Sequence, residues 1–155
     1  MTSQDQLPHV ATVKDRAKSK LERDAREILS ALQDPETVEI MVNADGRIWQ
    51  EKLGQKIQHI GSIQSAQVEA VIKTVAGFHG KEVNRFNPMI EGEFPLDNSR
   101  FAGQFPPIVS SPTFAIRKKA IKIFTLEQYV ETGVLSPRHS DVIKDAVRKH
   151  RNSLV

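Results

Sequence analysis

The chain has 155 residues, 39% of them hydrophobic and 26% charged, and no cysteine; that suffices for one domain, or one domain and part of another, with a core burying roughly 70% of the unfolded surface, and it excludes disulfides, thiolate metal sites and cysteine nucleophiles. No stretch reaches the ~18 apolar residues of a membrane span, and residues 1–20 lack the apolar core of a signal peptide, so the composition fits a soluble, cytoplasmic protein. The net charge is +3, from 22 basic and 19 acidic residues, and the pI of about 9.3 permits an anionic partner without arguing for one.

The first dozen residues, MTSQDQLPHVAT, are polar and read as frayed. From about Val13, Ala17, Leu21, Ala25, Ile28, Leu29 and Leu32 recur at spacings of three and four, the apolar stripe of one helix. Asp34-Pro35 ends it, because proline disfavours a helical residue before it. In VEIMVNADGRIWQEKLG, Val38, Ile40 and Val42 alternate with Glu39, Met41 and Asn43, which is strand spacing. Asp45-Gly46 supplies the positive φ of a tight hairpin turn. Residues 48–53 then form the returning strand and 56–63 a third one. A second helix is expected over about 66–78, with Val68, Val71, Ile72, Val75 and Phe78 buried, Ser65 as cap, and Gly77 and Gly80 available for a left-handed stop.

From residue 81 to 122 the helical period vanishes, and Pro88, Pro95, Pro106, Pro107 and Pro112 punctuate short extended pieces. Strands are expected at 89–94, 100–104 and 113–118, with Leu96-Asp97-Asn98-Ser99 as the turn between the first two. Thr125 and Gln128 have capping-box spacing and open a short helix that Gly133 closes. Ser136-Pro137 starts another, carried by Val142, Ile143, Ala146 and Val147 to about Lys149. The sequence then ends in RNSLV, where Leu154-Val155 resembles the opening of a buried strand, so the chain looks cut. The expected class is α+β, a mainly antiparallel sheet with helices on one face, and the composition shifts near Phe124.

The chain holds little chemistry of its own. No GxxxxGK[ST] phosphate loop occurs in it, and Mg-ATP hydrolysis needs such a cradle, its lysine and its metal-holding hydroxyl. The five histidines, His9, His59, His79, His139 and His150, have no metal-ligand spacing. Asp45 and Asp97 fit turn geometry, and Ser110 and Ser111 lack the strand-to-helix elbow of a serine hydrolase. The run Arg117-Lys118-Lys119-Ala120-Ile121-Lys122 could meet DNA phosphates or anionic lipid, or be a solvated sheet edge that discourages pairing. Trp49 is either a subunit-contact anchor or a core residue on the helix-covered face of the sheet. The first helix is amphipathic, but Glu22, Asp24 and Glu27 on its polar face favour a packed helix over a membrane-bound one.

Three segments resemble the secretion ATPases, specifically the conjugal-transfer members of the type IV branch. DPETVEIMVNADGRIWQEKLG is similar to the opening hairpin, RFAGQFPPIVSSPTFAIRKKA to the strand pair before the motor domain, and FTLEQYVETGVLSPRHSDVIKDAVRKHRNSLV to the linker and first helix of the motor. The match spans about residues 16–155 and stops before any Walker A loop; the Walker B, acidic and histidine boxes are absent with it. The resemblance implies a flexible terminus over 1–15, a secretion-ATPase N-terminal domain over 16–123, and linker helices with the first strand of a missing RecA-like motor domain over 124–155. It implies a hexameric ring that uses ATP and Mg2+, cytoplasmic and peripheral to the inner membrane, with channel proteins of a conjugal DNA-transfer system as partners and weak or no direct contact with nucleic acid. In it, this layer assembles the ring and covers the nucleotide, and no hydrolysis is expected from these residues alone. It places Arg100, after the turn, and Arg117, of the IRK motif, toward the terminal phosphates, where a planar guanidinium fork suits phosphate. The alternative is a free-standing adaptor binding DNA or anionic membrane through Lys118, Lys119 and Lys122.

Overall fold

The computed structural model describes residues 12–119 and 124–151. The frayed terminus up to residue 11, Lys122 of the basic run, and the strand opening at Leu154-Val155 lie outside the described residues. The chain divides into two compact units, residues 1–119 and 120–155.

In the first unit, α1 (Val13–Asp24) and α2 (Arg26–Gln33) replace the single helix that the stripe predicts. The break is at Ala25, whose backbone leaves the helical region at φ −116. No proline or glycine marks it. Leu21, Ala25 and Ile28 are all fully buried, so the stripe continues through the bend, and packing rather than local sequence sets the break. Thr12 caps α1, its hydroxyl accepting from the Asp15 N–H at 3.2 Å while the Thr12 N–H donates to the Asp15 carboxylate at 3.0 Å. After α2, the Asp34 carboxylate pairs with Lys52 Nζ at 2.6 Å and accepts the Glu36 N–H at 2.9 Å, which together hold it below the usual carboxylate range.

The sheet comprises β1 (Thr37–Val42), β2 (Arg47–Lys52), β3 (Gln58–Ser62), β4 (Met89–Glu93), β5 (Arg100–Gln104) and β6 (Thr113–Arg117). Their order is β3-β2-β1-β6-β5-β4, and every pairing is antiparallel. The α+β expectation therefore holds, and the two predicted strand groups join edge to edge through β1 and β6. One detail differs. A bulge between Thr37 and Glu39 leaves Val38 half-buried and turns Thr37 inward, where its hydroxyl accepts from Gln50 Nε2 at 2.6 Å in a buried pair.

α3 (Ser65–Phe78) crosses the inner face of the sheet. Its Val68, Val71, Ile72 and Val75 are buried with Ile40, Val42 and Ile48 of the first hairpin and with Phe101, Phe114 and Ile116 of the second strand group. Helix and strand come close at Gly103, where an added Cβ would lie 3.0 Å from Ile72 Cγ2 and from Ile90 Cγ2. The predicted cap shifts by one position. Gln64 is the N-cap residue, its N–H donating to Gln67 Oε1 at 3.2 Å, while the Ser65 hydroxyl meets that of Ser111 at 2.9 Å. Gly80, at φ +64, ends the helix, and the Lys81 N–H reaches back to the Ala76 carbonyl at 2.9 Å; Gly77 stays helical.

The second unit holds α4 (Leu126–Glu131) and α5 (Pro137–Arg148). Thr125 caps α4, accepting from the Gln128 N–H at 3.2 Å. Ser136 caps α5, accepting from the His139 N–H at 3.2 Å, with Pro137 in the first turn. Lys144 ties the two helices at 2.7 Å from Glu127.

Candidate functional site: the open face of the sheet

Strand alternation sends Ile40, Val42, Ile48, Gln50, Phe101, Phe114 and Ile116 inward, beneath the helices. The residues between them face the other way, onto a side that no described helix of the first unit covers. Register orders this side into rows. One row runs Glu93, Arg100, Arg117, Glu39, Glu51 across β4, β5, β6, β1 and β2. The next runs Glu91, Ala102, Ala115, Met41, Trp49, His59. Large groups thus flank two alanines, and the result is a shallow depression of about 440 Å³ lined by Glu39, Glu91, Arg100, Ala102, Ala115 and Arg117.

The two arginines singled out from the sequence are direct neighbours here, with Cα positions paired between β5 and β6. Their states differ. Arg117 donates from Nη2 and Nε to Glu39 Oε2, at 3.0 and 3.3 Å, and this hydrogen bond together with the carboxylate's charge raises it above the ordinary guanidinium range. The Arg100 guanidinium has no hydrogen-bond or ion-pair partner among the described residues. Like charges paired across two strands repel, so the Glu39 carboxylate offsets a cost that the arginine pair imposes. Sequence reading missed Glu39 as anything but a polar strand position. Strand alternation puts it on the arginines' face, but only the β1–β6 register, which joins residues far apart in the chain, puts it beside Arg117.

Among the described members of the basic run, Lys118 is the one held by backbone carbonyls. Lys118 Nζ donates to the carbonyls of Leu32, in the last turn of α2, at 2.7 Å and of Asp34, its C-cap residue, at 3.0 Å. Lys119 lies 3.8 Å from Glu93. The expected sheet edge is corrected, because β6 lies between β1 and β5; Arg117 and Lys119 remain exposed, and Lys118 is the described member drawn against backbone carbonyls.

Trp49 sits on the open face, paired across β1–β2 with Met41; its placement on the helix-covered face is overturned. Its ring meets His59 edge-on at 5.3 Å, and its Nε1 is buried without a hydrogen-bond partner. The β4 edge is occupied by side chains: His79 Nε2 lies 2.7 Å from the Glu93 carbonyl and Lys81 Nζ 3.3 Å from that of Glu91, which obstructs pairing by a further strand. Among the described residues no cluster of three or more His, Asp or Glu is placed to hold a metal ion, and no helix is long and apolar enough to cross a membrane.

No family model matches the chain. Over 125 residues, 81% of its length, it is 38% identical to a probable conjugal transfer protein TrbB of Sinorhizobium fredii and to the conjugal transfer protein TrbB of Rhizobium radiobacter. The match covers 38% and 39% of those proteins, so the chain spans under two fifths of the length of these curated relatives. A solved structure of the VirB11 ATPase from the Brucella suis type IV secretion system, in complex with sulphate, superposes with a TM-score of 0.65 on 88% of this chain and 45% of that one, at 18% identity, a likeness of fold.

Proposed function

We propose that this chain, which belongs to the conjugal-transfer secretion ATPases over the part of them that it spans, is the ring-forming and nucleotide-covering layer of such an ATPase. The observation that carries the proposal is the pairing of Arg100 with Arg117 on the face of the sheet turned away from α3. Two guanidinium forks side by side suit the terminal phosphates of a nucleotide held elsewhere in the protein. ATP, with Mg2+, would supply the cleavable phosphoanhydride. These 155 residues contain no phosphate loop, so their part is to contact and shield the phosphate tail while other residues of the complete protein cradle it. Each charge-assisted hydrogen bond contributes roughly 1.5–3 kcal/mol, and two of them, less the cost of association, give about millimolar affinity. The layer then adds to a nucleotide site without making one alone. The same reading places six copies in a ring at the cytoplasmic side of an inner-membrane channel, with Trp49 and Met41 available for contact between neighbours.

Of the adaptor reading's described cations, Lys118 is engaged by the carbonyls of Leu32 and Asp34, which leaves only Lys119, exposed beside Glu93, to meet an anionic surface. Joined to the phosphate-loop domain of a conjugal-transfer relative, the chain is expected to give a ring of six by light scattering. The chain alone is expected not to bind duplex DNA or phosphatidylserine vesicles at physiological salt. Tight binding to DNA that falls steeply with salt, by about one power per phosphate contact, would reverse the choice.

A further inference from the structure

We infer that Glu39 is a built-in competitor for the phosphate contact, which keeps Arg117 closed until a highly charged polyphosphate tail displaces it. The inference rests on the nucleotide reading of Arg100 and Arg117 above and names how that site selects its ligand.

Both hydrogen bonds of the pair converge on one oxygen, Glu39 Oε2. The partners are unequally placed: the Glu39 side chain is 16% exposed and that of Arg117 is 65% exposed. The carboxylate is therefore the fixed member, seated in the floor of the sheet, and the guanidinium is the one that can leave. Further carboxylates surround the arginines. Glu51 lies beside Glu39 across β1–β2, Glu93 lies beside Arg100 across β4–β5, and Glu91 lines the depression. An approaching anion meets Arg100 first, since that guanidinium has no partner among the described residues. It gains Arg117 only by outcompeting Glu39, while held against its repulsion. A singly charged anion gains too little from Arg100 alone to do this. A triphosphate carries more charge into the same contact, and Coulomb attraction scales with it. The arrangement therefore favours the triphosphate over the diphosphate at the cost of absolute affinity.

The test is a titration of the 155-residue chain with ATP, followed through the Nε–Hε resonances of its arginines, with adenosine as the arm that lacks phosphate. The expected result is that ATP shifts Arg100 and, at higher concentration, Arg117, while adenosine shifts neither. Glu39→Gln tightens ATP binding about two- to fivefold, the return from breaking an exposed ion pair, and brings the two arginines to the same midpoint. Glu51→Gln removes equal charge one strand away without touching Arg117 and gives a smaller gain. If ATP shifts the arginines and Arg100→Ala abolishes the effect, but Glu39→Gln leaves binding unchanged or weaker, the competitor role is overturned and the nucleotide reading stands. An equal gain from Glu51→Gln overturns it as well. If neither arginine responds at about 50 mM ATP, where millimolar affinity would saturate, the nucleotide reading falls and the inference with it.

Discussion

Replacing Phe101 with alanine is expected to destabilise the first unit by about 3–5 kcal/mol, the usual cost of deleting a buried aromatic ring. Phe101 is 2% exposed and stands between two further rings, Phe94 at 5.7 Å and Phe114 at 5.5 Å between centroids. All three belong to β4–β6 and the turn after β4, so the stack ties the later strand group together. Its loss leaves a void between the rings of Phe94 and Phe114 and above Gly103, whose position an edge of the Phe101 ring now shields. At roughly 4 °C per kcal/mol for a unit of this size, the midpoint of thermal unfolding should fall by at least about 10 °C. Phe86 is the control. It is 81% exposed, and Phe86→Ala should change stability by no more than about 0.5 kcal/mol. Equal effects from the two substitutions, by urea and thermal denaturation, would contradict the packing described here.

Gly46→Ala is expected to cost about 2–4 kcal/mol, from two causes that add. Gly46 sits at φ +78, where a side chain costs roughly 1–2 kcal/mol. An alanine Cβ would also lie 2.6 Å from the Ile63 carbonyl oxygen, a backbone atom that cannot swing away. The approach is tight because the Ile63 N–H donates to the Gly46 carbonyl at 2.9 Å, which fastens the end of β3 to the first hairpin. Gly54 separates the causes. It has φ +70 and open space around it, so Gly54→Ala should cost only the conformational part, about 1–2 kcal/mol. If the two substitutions cost the same, the contact with Ile63 contributes nothing.

Gly46 also shows what sequence can and cannot carry. Its positive φ was legible, because Asp45-Gly46 between alternating apolar residues permits few other structures. Its contact with Ile63 was not, since that depends on where a third strand ends. The same division recurs through the molecule. Caps at Thr125 and Ser136, the three strands of the first hairpin group and the helix over α3 follow from local spacing. The bend at Ala25, the inward turn of Thr37 and the join of β1 to β6 come from packing between distant segments. At the candidate site, Arg100 and Arg117 could be singled out from the resemblance and their strands from the pattern. That Arg117 is already paired, that Arg100 has no partner among the described residues, and that Lys118 reaches the end of α2 all depend on register between strands or on helix placement. No window of sequence records these.

The most direct test of the proposed role is ATP turnover by this chain, alone and joined to a motor domain that carries a phosphate loop. The account predicts turnover only in the joined protein. It also predicts a fall of about tenfold or more on Arg100→Ala, the loss of one charge-assisted contact, and a comparable fall on Arg117→Ala, with the fold unchanged by circular dichroism. Turnover by the 155-residue chain alone, or a joined protein indifferent to both arginines, would contradict it.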